Sequence, residues 1–264
     1  MHIVRRGGRS VVTRALAYSP LRLLTPANHG DAAWIFFSTY GGGFVGGDAI
    51  EVDIAVGERA TALVQTQAST KVYRSSKGAA SRLHATVATG ARLLVLPDPT
   101  VCFAGASFEQ SQTFDLQPDA TLVVMDWVTA GRRAAGERWA FDRYVCRTTI
   151  RRGATLLLAD AIELDRRDGP LLERLLRFEC LCTILLVGPD AARAAMSALE
   201  RIAAMELRVR ANLLTSAAPL GDPPGAGWVI RLAGVSVEEV AGAARGYLDF
   251  VPGLLGDDPW ARKW

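Results

Sequence analysis

Four segments of this chain repeat one another, and that repeat restricts the fold more than any other feature. Val56-Gly57-Glu58-Arg59-Ala60-Thr61-Ala62-Leu63 is echoed by Thr89-Gly90-Ala91-Arg92-Leu93-Leu94, Gln117-Pro118-Asp119-Ala120-Thr121-Leu122 and Arg152-Gly153-Ala154-Thr155-Leu156-Leu157. The shared alanines stand 31, 29 and 34 residues apart. Each unit reads as a strand, a tight turn closed by a small residue, and an apolar strand. A hairpin cannot bury its own face alone, so stacking several units is the physical solution. Two-residue alternation supports the strands. Ile50, Val52, Ile54 and Val56 alternate with Glu51 and Asp53, and Phe108, Phe114 and Leu116 with Glu109, Ser111, Thr113 and Asp115. Leu83, Ala85 and Val87 repeat the pattern. Residues 1–164 are therefore predicted as mainly β, an elongated, stacked β-hairpin or β-helix-like architecture.

Residues 165–264 change character. Phe178 to Val187 reads as a buried strand, and Pro189 opens a helix running to about Glu206, with Ala192, Met196, Leu199, Ile202 and Met205 on one face. Strands are predicted at Leu207 to Leu214 and at Trp228 to Leu232, separated by the breaker-rich Ala217 to Gly227. A second helix starts near Ser236, with Ser236 and Glu239 in capping-box spacing. The βαββα order predicts an α+β layer, carrying two helices, packed on the β stack.

Half of the 264 residues are hydrophobic, enough for a sizeable core. No apolar run approaches the roughly 18 residues of a membrane helix, so no membrane is expected as a partner. A net charge of +3 is too balanced for a dedicated nucleic-acid binder. Five arginines precede the first acid, Asp31, yet alternation from Val11 to Tyr18 reads this start as a strand rather than a targeting peptide. Four cysteines in a chain of this length do not make a disulfide scaffold, which points to a cytoplasmic location.

Chemical motifs are sparse. Gly41-Gly42-Gly43-Phe44-Val45-Gly46 fits a dinucleotide fingerprint in form, but a strand follows where a helix start is needed. Cys180 and Cys182 would share one strand face, where a soft metal or simple burial are the alternatives. His2, His29 and His84 are scattered, and no nucleophile has an obvious base. From Arg132 to Arg152 seven arginines interleave with Trp139, Phe141 and Tyr144, a pattern open to RNA binding or to a charge-paired strand facing water. An enzyme using Asp126, Asp160 and Glu137 in a cleft is a further alternative. The residues alone favour a binding or assembly role.

A series of blocks resembles the urease accessory protein UreD (UreH) family. They are Pro20-Leu21-Arg22, Gly41 to Asp48, Gln67 to Ser75, Leu96-Pro97-Asp98-Pro99, Phe103-Ala104-Gly105-Ala106, Asp126-Trp127, Gly131-Arg132, Gly136-Glu137, and the ending Pro259 to Trp264. The ending has two extra residues between the proline and the closing arginine. The resemblance implies a non-enzymatic maturation factor that binds UreF, recruits the GTPase UreG and docks on the urease apoprotein for nickel delivery. It implies no tightly bound cofactor, and transient nickel moving through a polar internal passage. The family's passage positions fall on Asp48, Ser69, Asp126 and Asp160. The candidate partner surfaces are the C-terminal helices and the arginine-rich stretch, with Arg133 and Arg151 as its test residues.

Overall fold

A computed structural model describes residues 1–206, 208–220 and 226–261, and the repeat sets its architecture. β1 (His2–Arg6) and β2 (Arg9–Arg14) form an opening hairpin, and β3 (Leu21–Leu24) pairs antiparallel with β4 (Ala33–Thr39). Stacked coils follow. The first holds β5 (Ala49–Val56), β6 (Thr61–Thr66) and β7 (Thr70–Val72). The second holds β8 (Ala79–Val87), β9 (Arg92–Val95) and β10 (Thr100–Cys102). The third holds β11 (Ser107–Leu116) and β12 (Thr121–Thr129). β13 (Arg143–Arg152) stacks on β11, and β14 (Thr155–Asp165) folds back on it. Corresponding strands pair in parallel, β5–β8–β11–β13 in one sheet and β4–β6–β9–β12 in the other. The protein is mainly β, with the solenoid-like stacking expected from the repeat.

Three of the four repeated turns are not hairpins. Between β5 and β6, β8 and β9, and β11 and β12 the chain arches from one sheet to the other, whereas the turn at Gly153-Ala154 closes a true hairpin. All four share one backbone feature. The residue before the alanine is left-handed: Arg59 (φ 56°), Gly90 (63°), Asp119 (60°) and Gly153 (56°). Ala60, Ala91 and Ala120 are fully buried because the arches stack, with Arg92 N–H donating to Ala60 O (2.8 Å) and Thr121 N–H to Ala91 O (2.9 Å). Strand, turn and strand look alike in both cases. What differs is the neighbour each strand finds, which local spacing does not state.

After α1 (Leu171–Leu175), β15 (Cys180–Val187) pairs antiparallel with β12, and β17 (Gly227–Gly234) and β16 (Leu213–Leu220) extend the same sheet. Helices α2 (Pro189–Ala194), α3 (Met196–Ala203), α4 (Val237–Tyr247) and α5 (Val251–Leu255) cover its outer face. They bury Leu63, Leu94, Val123 and Ile184 against Ile202, Val240 and Val251. Ser236 Oγ caps α4 by accepting from Glu239 N–H at 3.1 Å. The inner face of the sandwich holds the main core, including Ile54, Ala85, Phe114 and Leu122.

Several boundaries differ from expectation. The helix predicted from Pro189 is broken at Ala195. The strand expected at Leu207 to Leu214 sits at Leu213–Leu220, and its second half runs into the segment read as breakers. Pro219 is tolerated there because β16 is an edge strand, where a missing N–H costs no ladder bond. Leu207, residues 221–225 and 262–264, the last including the end of the Pro259 block, lie outside the described residues. β2 stops at Arg14, leaving Leu16 and Tyr18 exposed.

Candidate functional site

The arches close one end of the sandwich. At the opposite end, where β5, β8 and β11 begin and β6, β9 and β12 finish, the sheets enclose a cavity of about 270 Å³. Its walls are apolar at Phe44, Val52, Val64 and Phe108, and polar at Ser69, Gln110, Gln112 and Asp126. Gly42, Gln67 and Ala68 stand at its exposed rim. The glycine block forms part of this rim rather than a phosphate loop. Phe44 N–H donates to Lys71 O (2.7 Å) and Tyr73 N–H to Phe44 O (2.9 Å). A Cβ on Gly46 would fall 1.7 Å from Ser75 Oγ, so this close approach requires glycine.

Asp126 lies at the inner end. Alternation along β12 places Leu122, Val124, Asp126 and Val128 on the inner face, and Val123, Met125 and Trp127 under the helices. Its carboxylate accepts from four neutral donors: Gln110 Nε2, Gln112 Nε2 (2.8 Å), Tyr144 OH (3.1 Å) and Cys146 Sγ (3.2 Å). None of the four carries a compensating positive charge. Burial raises the carboxyl above its ordinary value, and the four hydrogen bonds offset this in part. Its remaining exposed surface opens into the cavity. Burial likewise pushes the Tyr144 hydroxyl and Cys146 thiol up, with the neighbouring carboxylate adding to both.

The other sequence candidates separate. Ser69 lines the cavity. Asp48 instead closes a turn, its Oδ2 accepting from Val45 N–H at 2.9 Å. Asp160 faces inward from β14 and accepts from Arg231 at 2.6 Å. Register places that pair one strand beyond Thr148 and Thr183, which flank Gln112 and Asp126 in the two sheets. Glu137 pairs with Arg132 and accepts from Ala104 N–H (3.1 Å), so Asp126, Asp160 and Glu137 share no cleft. Each carboxylate has its own partners on a different element, which dissolves that catalytic alternative.

The arginines are mostly charge-paired. Arg133 meets Glu179 at 2.7 Å, and Arg143 and Arg147 meet Glu109 and Glu163 on the outer face. Arg151 is exposed at the far end of β13, roughly 30 Å of extended strand from its start, so it shares no local surface with Arg133. His84 sits on that outer face beside Asp115 (2.8 Å) and Asp53 (3.6 Å). Cys180 and Cys182 do share a face, buried under the helices, and burial raises Cys180 to about 12. Among the described residues, no group of three or more His, Cys, Asp or Glu side chains is placed to hold a metal ion. No helix among them is long and apolar enough to cross a membrane.

Most of the blocks that share motifs with urease accessory proteins gather at this cavity end, the Pro259 ending excepted, which follows the Asp257 that accepts from His29 N–H. Thr70 N–H donates to Pro99 O (3.1 Å), Asp98 N–H to Thr66 Oγ1 (2.8 Å), Trp127 Nε1 to Pro97 O (2.9 Å) and Tyr40 N–H to Pro20 O (2.9 Å). Arg132 stacks on Phe103 with its guanidinium carbon 4.1 Å from the ring centre. A family model described as UreD urease accessory protein matches residues 1–262. The chain belongs to the UreD family. It is 51% identical to the urease accessory protein UreD of Sorangium cellulosum, over 98% of this chain and 82% of that one. It is 43% identical to that of Anaeromyxobacter, over 98% and 87%. It is 33% identical to urease accessory protein D of Oryza sativa subsp. indica, over 96% and 92%. Membership supports a role in urease maturation, and the relatives are named as accessory proteins rather than enzymes.

Of the positions the family resemblance pointed to, Ser69 and Asp126 line the cavity; the side chains that hold Asp126 were not singled out. Gln110 and Gln112 occupy the same alternating positions as Phe108 and Phe114, so the period already placed them inside. Tyr144 and Cys146 share that inward period with Ile150 on β13, but that all four side chains meet Asp126 depends on how the two sheets face each other, which local spacing does not state.

Proposed function

We propose that this protein serves urease maturation as a scaffold for UreF, UreG and the urease apoprotein, and that its cavity forms part of the route nickel takes. The observation that carries this reading is Asp126, an enclosed carboxylate whose four donors are all neutral, at the inner end of a cavity with an exposed rim. Such a group is costly to bury without a counter-charge. A passing hydrated cation supplies one. The cavity is roomy enough for several waters, and its oxygen-rich lining holds nickel weakly, as transport requires release as well as capture. Ser69 and Asp126 are the passage residues within the cavity. Asp48 and Asp160, engaged in a turn and an ion pair, lie outside it.

Asp126→Leu should leave assembly with urease and its accessory proteins intact while lowering the nickel content of the matured urease. Metal analysis of urease purified from cells carrying the variant reads this directly. Full nickel loading at normal expression would remove Asp126 from the route.

A further inference from the structure

We infer that Asp126 and Cys146 together form a carboxylate–thiolate contact for a borderline divalent cation such as nickel. The inference rests on the nickel-route reading and specifies its chemistry. Of the four cysteines, Cys146 is the one whose thiol donates to a carboxylate among the described residues. Its sulfur stands 3.2 Å from Asp126 Oδ2. With metal–sulfur and metal–oxygen distances of about 2.3 and 2.1 Å, that edge subtends roughly 90° at an ion. Such an angle suits square-planar or octahedral coordination, and sulfur beside oxygen favours a borderline ion over magnesium or calcium.

The surroundings complete the argument. Gln110 and Gln112 present their Nε2 groups to both Asp126 and Cys146. An amide turned end for end offers a carbonyl oxygen instead, so these side chains can serve either the proton-bearing cluster or a cation. When the metal–sulfur contact forms, the thiol proton passes by way of the Asp126 carboxylate, which lines the cavity, to water there, and no electron changes hands. Two anionic ligands make a pausing point rather than a resident site.

The test titrates the full chain, alone or assembled with the urease apoprotein, with Ni²⁺, using Mg²⁺ as the hard-ion control. The wild type should develop a sulfur-to-nickel charge-transfer absorption with Ni²⁺ and none with Mg²⁺. Cys146→Ala should abolish it, as should Cys146→Ser, which keeps the size and the hydrogen bond and so guards against misfolding. Cys102→Ala and the Cys180→Ala/Cys182→Ala pair should retain it. Gln112→Leu, which removes an orienting partner, should weaken nickel binding by roughly ten- to a hundredfold. A band that survives Cys146→Ala overturns the contact. A wild type without the band whose urease still loads nickel through Asp126 overturns the thiolate and leaves the route standing. A band alongside full nickel loading by Asp126→Leu does the opposite.

Discussion

The two ends of the sandwich are built from the same strands and behave as different materials. At the arch end, Ala85, Val87, Phe114, Leu116 and Ala120 pack with essentially no exposed surface. At the other end, the same β11 contributes Gln110 and Gln112, and β12 contributes Asp126, around a cavity. The internal repeat maps to the first end, and most of the blocks shared with the UreD family map to the second. One end fixes the stack and the other accepts polar groups at a cost to stability. Stability and the proposed function are therefore separable along a single strand, and mutations can show it.

The largest contrast is expected between Phe114→Ala and Asp126→Leu. Phe114 is fully buried in the dry half, and its truncation should cost about 3–5 kcal/mol through lost burial and the resulting cavity. Asp126→Leu removes a buried carboxylate without a charged partner, and should leave stability unchanged or raise it. Urea unfolding of both proteins measures the difference. An Asp126→Leu loss comparable to that of Phe114→Ala would show that the polar cluster holds the sheets together.

A second contrast sets two enclosed carboxylates against each other through pH. Arg167 holds Asp165 at about 2, first through its side chain and then through its backbone N–H. A depressed carboxyl adds stability above its ordinary value of 3.8, and that contribution is lost as pH falls from there toward 2. Asp126 is shifted the other way by burial, so its ionisation costs stability at neutral pH and the cost disappears on acidification below about 3.8. Asp165→Asn should thus be destabilised relative to wild type at pH 7 and converge with it in acid. Asp126→Asn should be stabilised at pH 7 and also converge in acid. Urea midpoints measured across this range would refute the assignment if the two variants deviated with the same sign.

How much of this was legible in the sequence follows from which interactions are local. The tight turn closed by each repeated alanine and the alternation of β5 and β11 are local, and both were readable. The arches were not, because whether Val56-Gly57 leads to a hairpin partner or to the opposite sheet depends on the next coil. Gln110 and Gln112 were readable by period and misleading by type, since glutamine inside a core is uncommon. Asp160 followed an apolar run as Asp126 does, yet the fold brings Arg231 to it from another sheet. That meeting joins residues 71 apart.

The Asp160–Arg231 pair gives the smallest expected effect and the sharpest use of the comparison. Its register sets it on the inner face, in line with Asp126 through Thr183 and with Gln112 through Thr148. Arg231 keeps 47% of its side-chain surface exposed, so solvent screens the attraction. Arg231→Gln should accordingly cost no more than about 1 kcal/mol, the range of surface ion pairs. The thermal midpoint should barely move, far less than with Phe114→Ala. A loss of several kcal/mol would mean that Asp160 is effectively buried and depends on Arg231 as its counter-charge. Asp126 would then differ from Asp160 in lacking that partner, the property on which the proposed cation route rests.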